Sequence, residues 1–471
     1  MNWSNLQSLK ERIYHEELIL FKAIMMNKSI IKFIDDKLNE SIEVLKKLCR
    51  IPSVAAKNEG LLEAANLVEK MLQDAGLETE VHLTSGAPVV TGWKDVGAKR
   101  TLLFYDHYDV QPAEPFDLWD SPPFEPEIRN DRLYGRGVAD NKGDITTRIW
   151  TLKAFQETNT DLPVNVRFVI EGEEEIGSIH LPEYIEKNTD FITADGGIWE
   201  FGGAGIDGRQ EAWLGLKGIF FVELEVQRLS RDVHSSTACI LPSAASRLTW
   251  ALNSLKDESS RILIEGFYEN IKPLTDSELE AIRKIDLHEE QFKKVYGIEE
   301  YLNGLTGDEL KKAYYGTPTC NICGLTSGYQ GKGSMTVLPA KASCKVDFRL
   351  VEGMHPNDIH KKLRQHLDDR GFSDIKFSYF EGYPAAKTPI NHPFVKIIEN
   401  ANKRVFGDMV IHPTSPGSGP LYLFNKYVPM VSIGCGDYES KAHSPNESIV
   451  IENFRKAMNR IVAVMEEMSK W

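Results

Sequence analysis

Four glutamates crowd into the five positions 171–175, directly after an apolar stretch in the segment VIEGEEEIGS. Two carboxylates about 4 Å apart repel by roughly 4 kcal/mol at the effective dielectric constant of about 20 that suits protein sites. Each buried, unpaired ion adds a further desolvation penalty. The cluster is therefore either exposed to water, as most glutamate runs are, or arranged around cations.

A histidine and an aspartate two positions apart follow another apolar stretch, in FYDHYDVQP at residues 104–112. Side chains at positions i and i+2 of an extended segment point to the same side, so His107 and Asp109 converge. A carboxylate beside a histidine fixes the tautomer of a metal-bound imidazole. The alternative interpretation is a polar strand end at the edge of a sheet.

A glycine-rich turn in GRGVADNKGD, residues 135–144, presents Asp140 shortly before a helix. Its glycine spacing matches no Walker motif, so we do not expect it to bind phosphate. Taken alone, Asp140 and Asn141 fit turn and capping positions. A ligand role for Asp140 therefore depends on the residues that surround it.

Each of these three segments adjoins an apolar stretch, and open α/β sheets bind ligands at the carboxyl ends of their strands. We therefore expect the segments to converge. Asp195 ends a short apolar run in ITADGGIWE, and His443 lies in the polar loop ESKAHSPNESI. Histidines with several carboxylates form a donor set that suits zinc, cobalt or manganese. Two such ions about 3.5–4 Å apart would offset the crowded negative charge.

The elements that must position these residues alternate between strand and helix from about residue 88 to 200. RTLLFYD reads as a strand, ITTRIWTLKAFQET as a helix and VNVRFVIEG as a strand. This alternation predicts an α/β fold with a mostly parallel sheet and helices on its faces. Apolar residues spaced by three and four predict helices over most of residues 1–85.

The chain has 471 residues, more than one hydrophobic core usually serves, so we expect two domains. The polar, glycine-rich stretch 205–218 predicts a boundary. Residues 213–385 then read as a smaller α+β domain with one solvated sheet face. The larger domain would comprise 1–212 and 386–471, with a helical extension over about 1–35.

The composition excludes several classes of partner. The chain is 42% hydrophobic and 26% charged, as is usual for globular proteins. Its net charge of −14 and pI of about 5.5 argue against nucleic acid or an anionic membrane as the main partner. The apolar run LILFKAIMM at 18–26 is interrupted by Lys22 and predicts an amphipathic helix rather than a signal peptide or membrane span.

The cysteines indicate a reducing environment. Six cysteines in a chain of this length form no disulfide-framework pattern, which predicts a cytoplasmic protein. Cys320 and Cys323, in CNIC, have the spacing of a zinc-binding pair, but no second pair accompanies them. We interpret this pair as structural or incidental, with metal or redox chemistry as the alternative.

Five motifs occur in the order HYDVQP, GRGVADNKG, EGEEEIGS, the Ala-Asp at 194–195 and AHSPNE. In their amino-acid sequences and their order, these motifs resemble those of the dinuclear zinc peptidases. That family includes carnosinases, cytosolic nonspecific dipeptidase, succinyl-diaminopimelate desuccinylase, aminoacylases and glutamate carboxypeptidases. The resemblance extends from about residue 40 to the C-terminus. HYDVQP, WDSPPFEP and LYGRGVADNKG are most similar to the dipeptidase branch. The resemblance implies a phosphorylase/hydrolase-like catalytic domain with an inserted lid or dimerisation domain.

The resemblance also implies a role for each candidate residue. Asp140 would bridge two metal ions, most simply zinc, with cobalt or manganese possible. Asp109 would orient a metal-bound histidine, and Glu174 would be the general base. The implied metal ligands are His107, Asp140, Glu175, Asp195 and His443, with Glu175 and His443 completing one site and Asp195 the other.

The inserted domain would contribute substrate contacts in a homodimer. His234 in RDVHSSTA matches a residue that reaches towards the developing oxyanion, often from the partner subunit. Arg349 in VDFRLVEG matches a position that can pair with a substrate carboxylate, a task that suits a bidentate guanidinium. Ser418 in SPGSGP matches a substrate contact. The chain departs from the family pattern at Glu173, in HSS and in SPGSGP, which bears on the identity of the substrate.

The predicted function is metal-dependent hydrolysis of a peptide bond in dipeptides or short peptides. The same site could instead deacylate or desuccinylate N-acyl amino acids. A non-catalytic, metal-dependent peptide-binding protein is a third hypothesis, disfavoured because every implied ligand and the base are present.

Overall fold

The computed structural model describes residues 28–471. The amphipathic helix predicted at 18–26 lies outside the described residues, as does most of the extension predicted over 1–35. Residues 28–36 are helical and are called α1. The remaining α-helices are α2 (Leu38–Cys49), α3 (Leu61–Asp74), α4 (Lys142–Glu157), α5 (Leu181–Lys187), α6 (Thr189–Ile192), α7 (Ala244–Asn253), α8 (Asp276–Arg283), α9 (Glu289–Tyr296), α10 (Gly307–Gly316), α11 (Pro356–Asp369), α12 (Pro393–Val405), α13 (Leu421–Phe424) and α14 (Ile451–Ser469).

The strands have between two and ten residues, and five short segments of 3₁₀ helix accompany them in the described residues. The strands are β1 (Glu78–His82), β2 (Val89–Lys94), β3 (Thr101–His107), β4 (Glu127–Arg129), β5 (Arg132–Tyr134), β6 (Asn165–Glu171), β7 (Gly196–Trp199), β8 (Gly203–Ala204), β9 (Gln210–Trp213), β10 (Gly215–Leu216), β11 (Gly218–Gln227), β12 (Val233–His234), β13 (Asn321–Ser327), β14 (Val337–Leu338), β15 (Lys341–Leu350), β16 (Lys376–Tyr383), β17 (Ala386–Lys387), β18 (Met409–His412), β19 (Met430–Ser432), β20 (Gly436–Asp437) and β21 (Ser448–Val450). The 3₁₀ turns are Ala55–Lys57, Phe116–Leu118, Glu174–Ile176, Ser235–Cys239 and Leu302–Gly304.

The chain forms two compact units. The first runs to Trp213 and includes Asn391–Ile411 and Leu423–Trp471, and the second comprises Leu214–Ile390 and His412–Tyr422. The first boundary falls at 213/214, where the sequence predicted 212/213, and the return to the first unit falls at 390/391, where the sequence predicted 385/386. Residues 412–422, which the sequence assigned to the larger domain, belong to the second unit because their start is hydrogen-bonded to the chain beside β10, as in Leu214 N to His412 O at 3.0 Å.

A ten-stranded sheet forms the centre of the first unit, in the order β1-β2-β6-β3-β7-β19-β9-β8-β20, with β18 beside β9. The four central strands β6, β3, β7 and β19 are parallel. Strands covered on both faces read as continuous apolar runs, which explains why six of the seven residues of β3 are buried. The predicted α/β class is confirmed.

The second unit contains a four-stranded antiparallel sheet in the order β13-β15-β11-β16. Alternate residues of β11 and β15 are buried, and Phe220 lies opposite Phe348 in their register. The buried face packs against α7 and α11. The other face is more exposed, as the alternation in the sequence predicted.

Two further expectations concern the whole described chain. Within residues 28–471, no helix combines the length and the apolar composition required to cross a lipid bilayer. Cys320 is buried and Cys323 is exposed, and both are free thiols. Neither belongs to a cluster of metal-binding side chains in the described part of the chain.

Candidate active site

The parallel strands of the first unit bring the candidate side chains together at their carboxyl ends. His107 is the last residue of β3 and pairs in register with Glu171, the last residue of β6. The 3₁₀ turn Glu174–Ile176 follows β6. Glu200 comes directly after β7, and Asp140 lies two residues before α4. Parallel pairing of these strands therefore places several polar loops at one edge of the sheet.

Two clusters of candidate ligands share Asp140. The inner cluster is His107, Asp140 and Glu200, and the outer cluster is Asp140, Glu175 and His443; within each, one donor atom per residue lies within 4.8 Å of the others. Asp140 Oδ1 is 3.0 Å from His107 Nε2, and Asp140 Oδ2 is 3.0 Å from His443 Nε2. The two oxygens of one carboxylate therefore face different clusters.

Asp195 was predicted as a ligand, but the structure brings it to neither cluster in the described residues. Its carboxylate pairs with Arg100 Nη1 at 2.7 Å and accepts a hydrogen bond from the backbone N–H of Thr101 at 2.9 Å. Thr101 is the first residue of β3 and His107 the last, so about 20 Å of strand separates them at roughly 3.3 Å per residue. Glu200, at the carboxyl end of β7, lies where Asp195 was expected.

Asp109 organises both a histidine and the glutamate turn. Its fully buried carboxylate lies 3.3 Å from His107 Nδ1. It also accepts the backbone N–H groups of Glu174 at 3.2 Å and Glu175 at 3.0 Å. Gln111, which was not among the predicted residues, donates from its side chain to Glu175 Oε2 at 2.9 Å and from its backbone to Oε1 at 3.2 Å. The motif HYDVQP thus orients one residue of each cluster.

A second buried carboxylate, Glu447, fixes the loop that carries Asp140. It accepts hydrogen bonds from the backbone N–H groups of Gly137, Ala139 and Asp140 at 2.8 to 3.0 Å. Arg136 Nη1 donates to it at 2.7 Å. Sequence reasoning did not select Glu447, although it is the last residue of the quoted motif AHSPNE. Its spacing of four from His443 was the available signal.

The loop that carries His443 has an unusual backbone. Lys441, His443 and Asn446 have φ angles of 54°, 61° and 62°. These angles lie in the left-handed region, which costs a non-glycine residue free energy and occurs preferentially at functional sites. The His443 side chain is 53% exposed, in contrast to the buried His107.

The charges of the site favour the binding of cations. Burial raises the pKa of Glu200 to about 8 and raises the pKa of Glu174 well above its usual value. Hydrogen bonds to Asp140 and Glu175 raise the pKa of His443 to about 10. Carboxylates in this site therefore outnumber the positive charges that would stabilise them. Imidazole and carboxylate donors around such a negative centre fit zinc, cobalt or manganese.

Glu174 occupies a distinct position. It belongs to neither cluster in the described residues, yet His107, Glu200, Glu175 and Asp140 all influence its pKa. The adjacent Glu175 belongs to the outer cluster. A partly buried carboxylate next to both clusters, but outside them, has the placement that a general base requires.

Comparison with known proteins decides the family. Residues 103–467 match the family described as Peptidase family M20/M25/M40. The chain belongs to this peptidase family. The resemblance inferred from the motifs is thereby confirmed.

Relatives within the family are named as dipeptidases and a carboxypeptidase. The chain is 31% identical to human Beta-Ala-His dipeptidase over 392 residues, covering 79% of this chain and 75% of the relative. It is 28% identical to a Cys-Gly metallodipeptidase of Candida albicans, covering 88% and 91%. The solved structure of an M20 family metallo-carboxypeptidase, Sso-CP2 from Sulfolobus solfataricus, is 37% identical with a TM-score of 0.87, covering 92% of this chain and 100% of that one.

Glu173, at which the chain departs from the family pattern, faces away from the clusters. Its carboxylate is paired with His180 Nδ1 at 2.7 Å and accepts the backbone N–H of Ala87 at 3.2 Å. A Cβ at Gly86 would lie 1.9 Å from Glu173 Oε1, so any other residue there would displace the Glu173 carboxylate. Glu171 instead accepts hydrogen bonds from Tyr105 Oη and Ser178 Oγ, both at 2.7 Å. Two of the four glutamates therefore fix the loop, and the other two face the candidate site.

The remaining predicted residues lie in the second unit. His234 is exposed, with Nδ1 2.9 Å from Ser236 Oγ and Nε2 3.3 Å from Thr336 Oγ1. Arg349 Nη1 donates to Ser418 Oγ at 2.7 Å. Arg349 and Ser418 therefore form one hydrogen-bonded pair, and His234 forms a separate group.

Proposed function

We propose that this peptidase hydrolyses the peptide bond of dipeptides or short peptides in a metal-dependent reaction. One observation carries the proposal: Asp140 is shared by two clusters, and Glu174 lies beside both without belonging to either. The names of the relatives, which include dipeptidases with two different substrates, support a dipeptide as the substrate.

The two clusters would hold two divalent ions, most simply zinc, with cobalt or manganese as alternatives. The inner one would be bound by His107, Asp140 and Glu200, and the outer one by Asp140, Glu175 and His443. Metal ions at such positions supply Lewis acidity and lower the pKa of water.

The side chains of the chain would then perform the proton transfers. Glu174 accepts a proton from the attacking water and delivers it to the leaving amine. Asp109 keeps the His107 imidazole oriented and holds the backbone of Glu174 and Glu175 in position.

Residues of the second unit would contact the substrate. His234 would stabilise the oxyanion of the tetrahedral intermediate, for which a single good donor contributes on the order of 10²–10³ in rate. Arg349 and Ser418 would bind a substrate carboxylate, and their hydrogen bond supports a shared task. The second unit would act as a lid or dimerisation domain in a cytoplasmic homodimer.

Metal reconstitution tests the proposal. The full chain is treated with a chelator, reloaded separately with zinc, cobalt or manganese, and assayed on dipeptides, longer peptides and N-acyl amino acids. We expect release of the C-terminal amino acid from dipeptides, loss of activity with chelation and recovery with metal. Cleavage of N-acyl amino acids but not of dipeptides would establish the deacylase alternative. Metal-dependent binding of peptides without cleavage would establish the non-catalytic one.

A further inference from the structure

Lys217 is a buried cation in the second unit that lacks a carboxylate partner in the described residues. The residue is 5% exposed. Its Nζ donates to the backbone carbonyls of Tyr314 and Thr317, each at 2.8 Å. Burial of an ammonium group is unfavourable unless an anion compensates its charge. An anion bound nearby would therefore stabilise the positive charge of Lys217.

Arg349 lies close enough for the two positive charges to affect each other. Burial, and then the charge of Arg349, lower the pKa of Lys217 to about 8. Arg349 Nε is 3.7 Å from Asp347 Oδ1, so Asp347 offsets one of the two positive charges. The side chain of Arg349 is 35% exposed, so a ligand can reach it. The region around Lys217 and Arg349 therefore retains a net positive charge, and the Arg349 guanidinium is accessible.

Backbone contacts of Lys217 join the segments that surround Arg349. The Lys217 N–H donates to the carbonyls of Ser415 at 3.2 Å and Gly417 at 2.9 Å, next to Ser418. Its Nζ fixes the segment that ends in Thr319, whose Oγ1 accepts the Arg349 backbone N–H at 3.2 Å. Lys217 thus holds both sides of the Arg349–Ser418 pair.

We propose that Lys217 is a positioning and specificity residue that makes the Arg349–Ser418 pair select substrates with a free α-carboxylate. The inference rests on the proposed function and extends it to a residue that the motifs did not select. The guanidinium binds the carboxylate directly, and Lys217 acts through the charge it adds and the segments it holds. Peptides with an amidated C-terminus lack that anion and bind poorly.

The chain provides a matched control in Lys387. It lies on β17 and pairs with Gly215 of β10. Gly215 precedes Lys217 by two residues in the sequence. The ammonium group of Lys387 is paired with Glu278 and Glu352. Lys387 is therefore a partly buried lysine of the same unit whose charge is compensated. Its replacement leaves Lys217, Arg349 and Ser418 in place and tests the general effect on stability of losing a partly buried lysine of this unit.

The experiment compares a dipeptide with its C-terminal amide in the metal-loaded full chain. The variants are Lys217→Gln, which keeps donors for the two carbonyls but loses the charge, Lys217→Met, Lys217→Arg and Lys387→Met. We expect Lys217→Gln to raise KM for the free acid about 10- to 100-fold, the loss of one interaction with a charged group. Its kcat should stay within about threefold because the proton-transfer residues are unchanged.

The preference for acid over amide separates the outcomes. In support, the preference falls in Lys217→Gln and Lys217→Met, and is kept in Lys217→Arg and Lys387→Met. Equal loss of both rates in the Lys217 variants would overturn the inference, as would equal use of acid and amide by the parent protein. Failure of the parent to cleave either peptide would overturn the proposed function and the inference together. Thermal unfolding identifies any variant that does not fold. If Lys217→Met does not fold, the comparison rests on Lys217→Gln.

Discussion

The inner and outer clusters share Asp140 but differ in their surroundings. His107 and Glu200 of the inner cluster are 1% and 8% exposed, whereas His443 of the outer cluster is 53% exposed. The inner ligands end or follow central parallel strands, and His443 lies on a loop with left-handed residues. The inner cluster is therefore fixed by the sheet, and the outer cluster depends on hydrogen bonds from loops.

The difference indicates separate tasks. Rigid placement by a sheet suits a site that retains its ion, because the ligands lose little conformational entropy on binding. A partly exposed ligand on a loop suits a site that must also admit water and substrate. Glu174 lies between these environments.

The largest effect is expected for Glu174, which belongs to neither cluster in the described residues. Glu174→Gln should lower kcat by about 10²–10⁴-fold, the usual contribution of a general acid–base residue. The metal content of both clusters should stay at the parental value because no ligand is lost. Turnover and metal per chain are measured on the same preparation, with the exposed surface residue Glu183→Gln as control. Metal loss together with activity would identify Glu174 as a ligand instead.

The next effect separates the two clusters by metal content. His443→Ala should lose about one equivalent of metal and keep the other, because the inner ligands rest on the sheet. His107→Ala should lose the better-held equivalent, since it removes a sheet-borne ligand. Metal per chain after dialysis against a weak chelator measures both. Equal loss in the two variants would show that the clusters are not independently held.

The sequence was sufficient to predict the α/β class and to select most residues of the candidate clusters, because both depend on local patterns. Apolar stretches followed by His107 or the glutamate run indicate strand ends, where parallel strands converge. Asp195 and Glu200 flank the same four-residue strand, and only the direction of that strand in the sheet distinguishes them. Glu447 lies within a quoted motif, but its role, like that of Lys217, depends on contacts between distant segments, which the motif alone does not reveal.

A smaller effect is expected for Gln111, which contacts only the outer cluster. Gln111→Ala removes the side-chain hydrogen bond to Glu175 Oε2 at 2.9 Å. Loss of a hydrogen bond that orients a ligand typically lowers metal affinity about 10- to 100-fold. The metal ion of the outer cluster should dissociate at a lower chelator concentration. The concentration that removes the metal ion of the inner cluster should be unchanged. A titration with a chromogenic chelator resolves the two steps, and a shift in both would contradict the assignment of Gln111 to one cluster.

The smallest effect is expected for Asp195, and it sharpens the placement of Glu200. The Arg100–Asp195 pair is 31% and 27% exposed, and partly exposed ion pairs contribute only about 0.2–1 kcal/mol to stability. Asp195→Asn should therefore lower the unfolding free energy within that range and leave both metal content and turnover unchanged. Glu200→Gln, made at the other end of the same strand, should release metal from the inner cluster. If Asp195→Asn released metal and Glu200→Gln did not, the ligand would lie at the amino end of the strand, and the convergence of all ligands at the carboxyl edge of the sheet would be refuted.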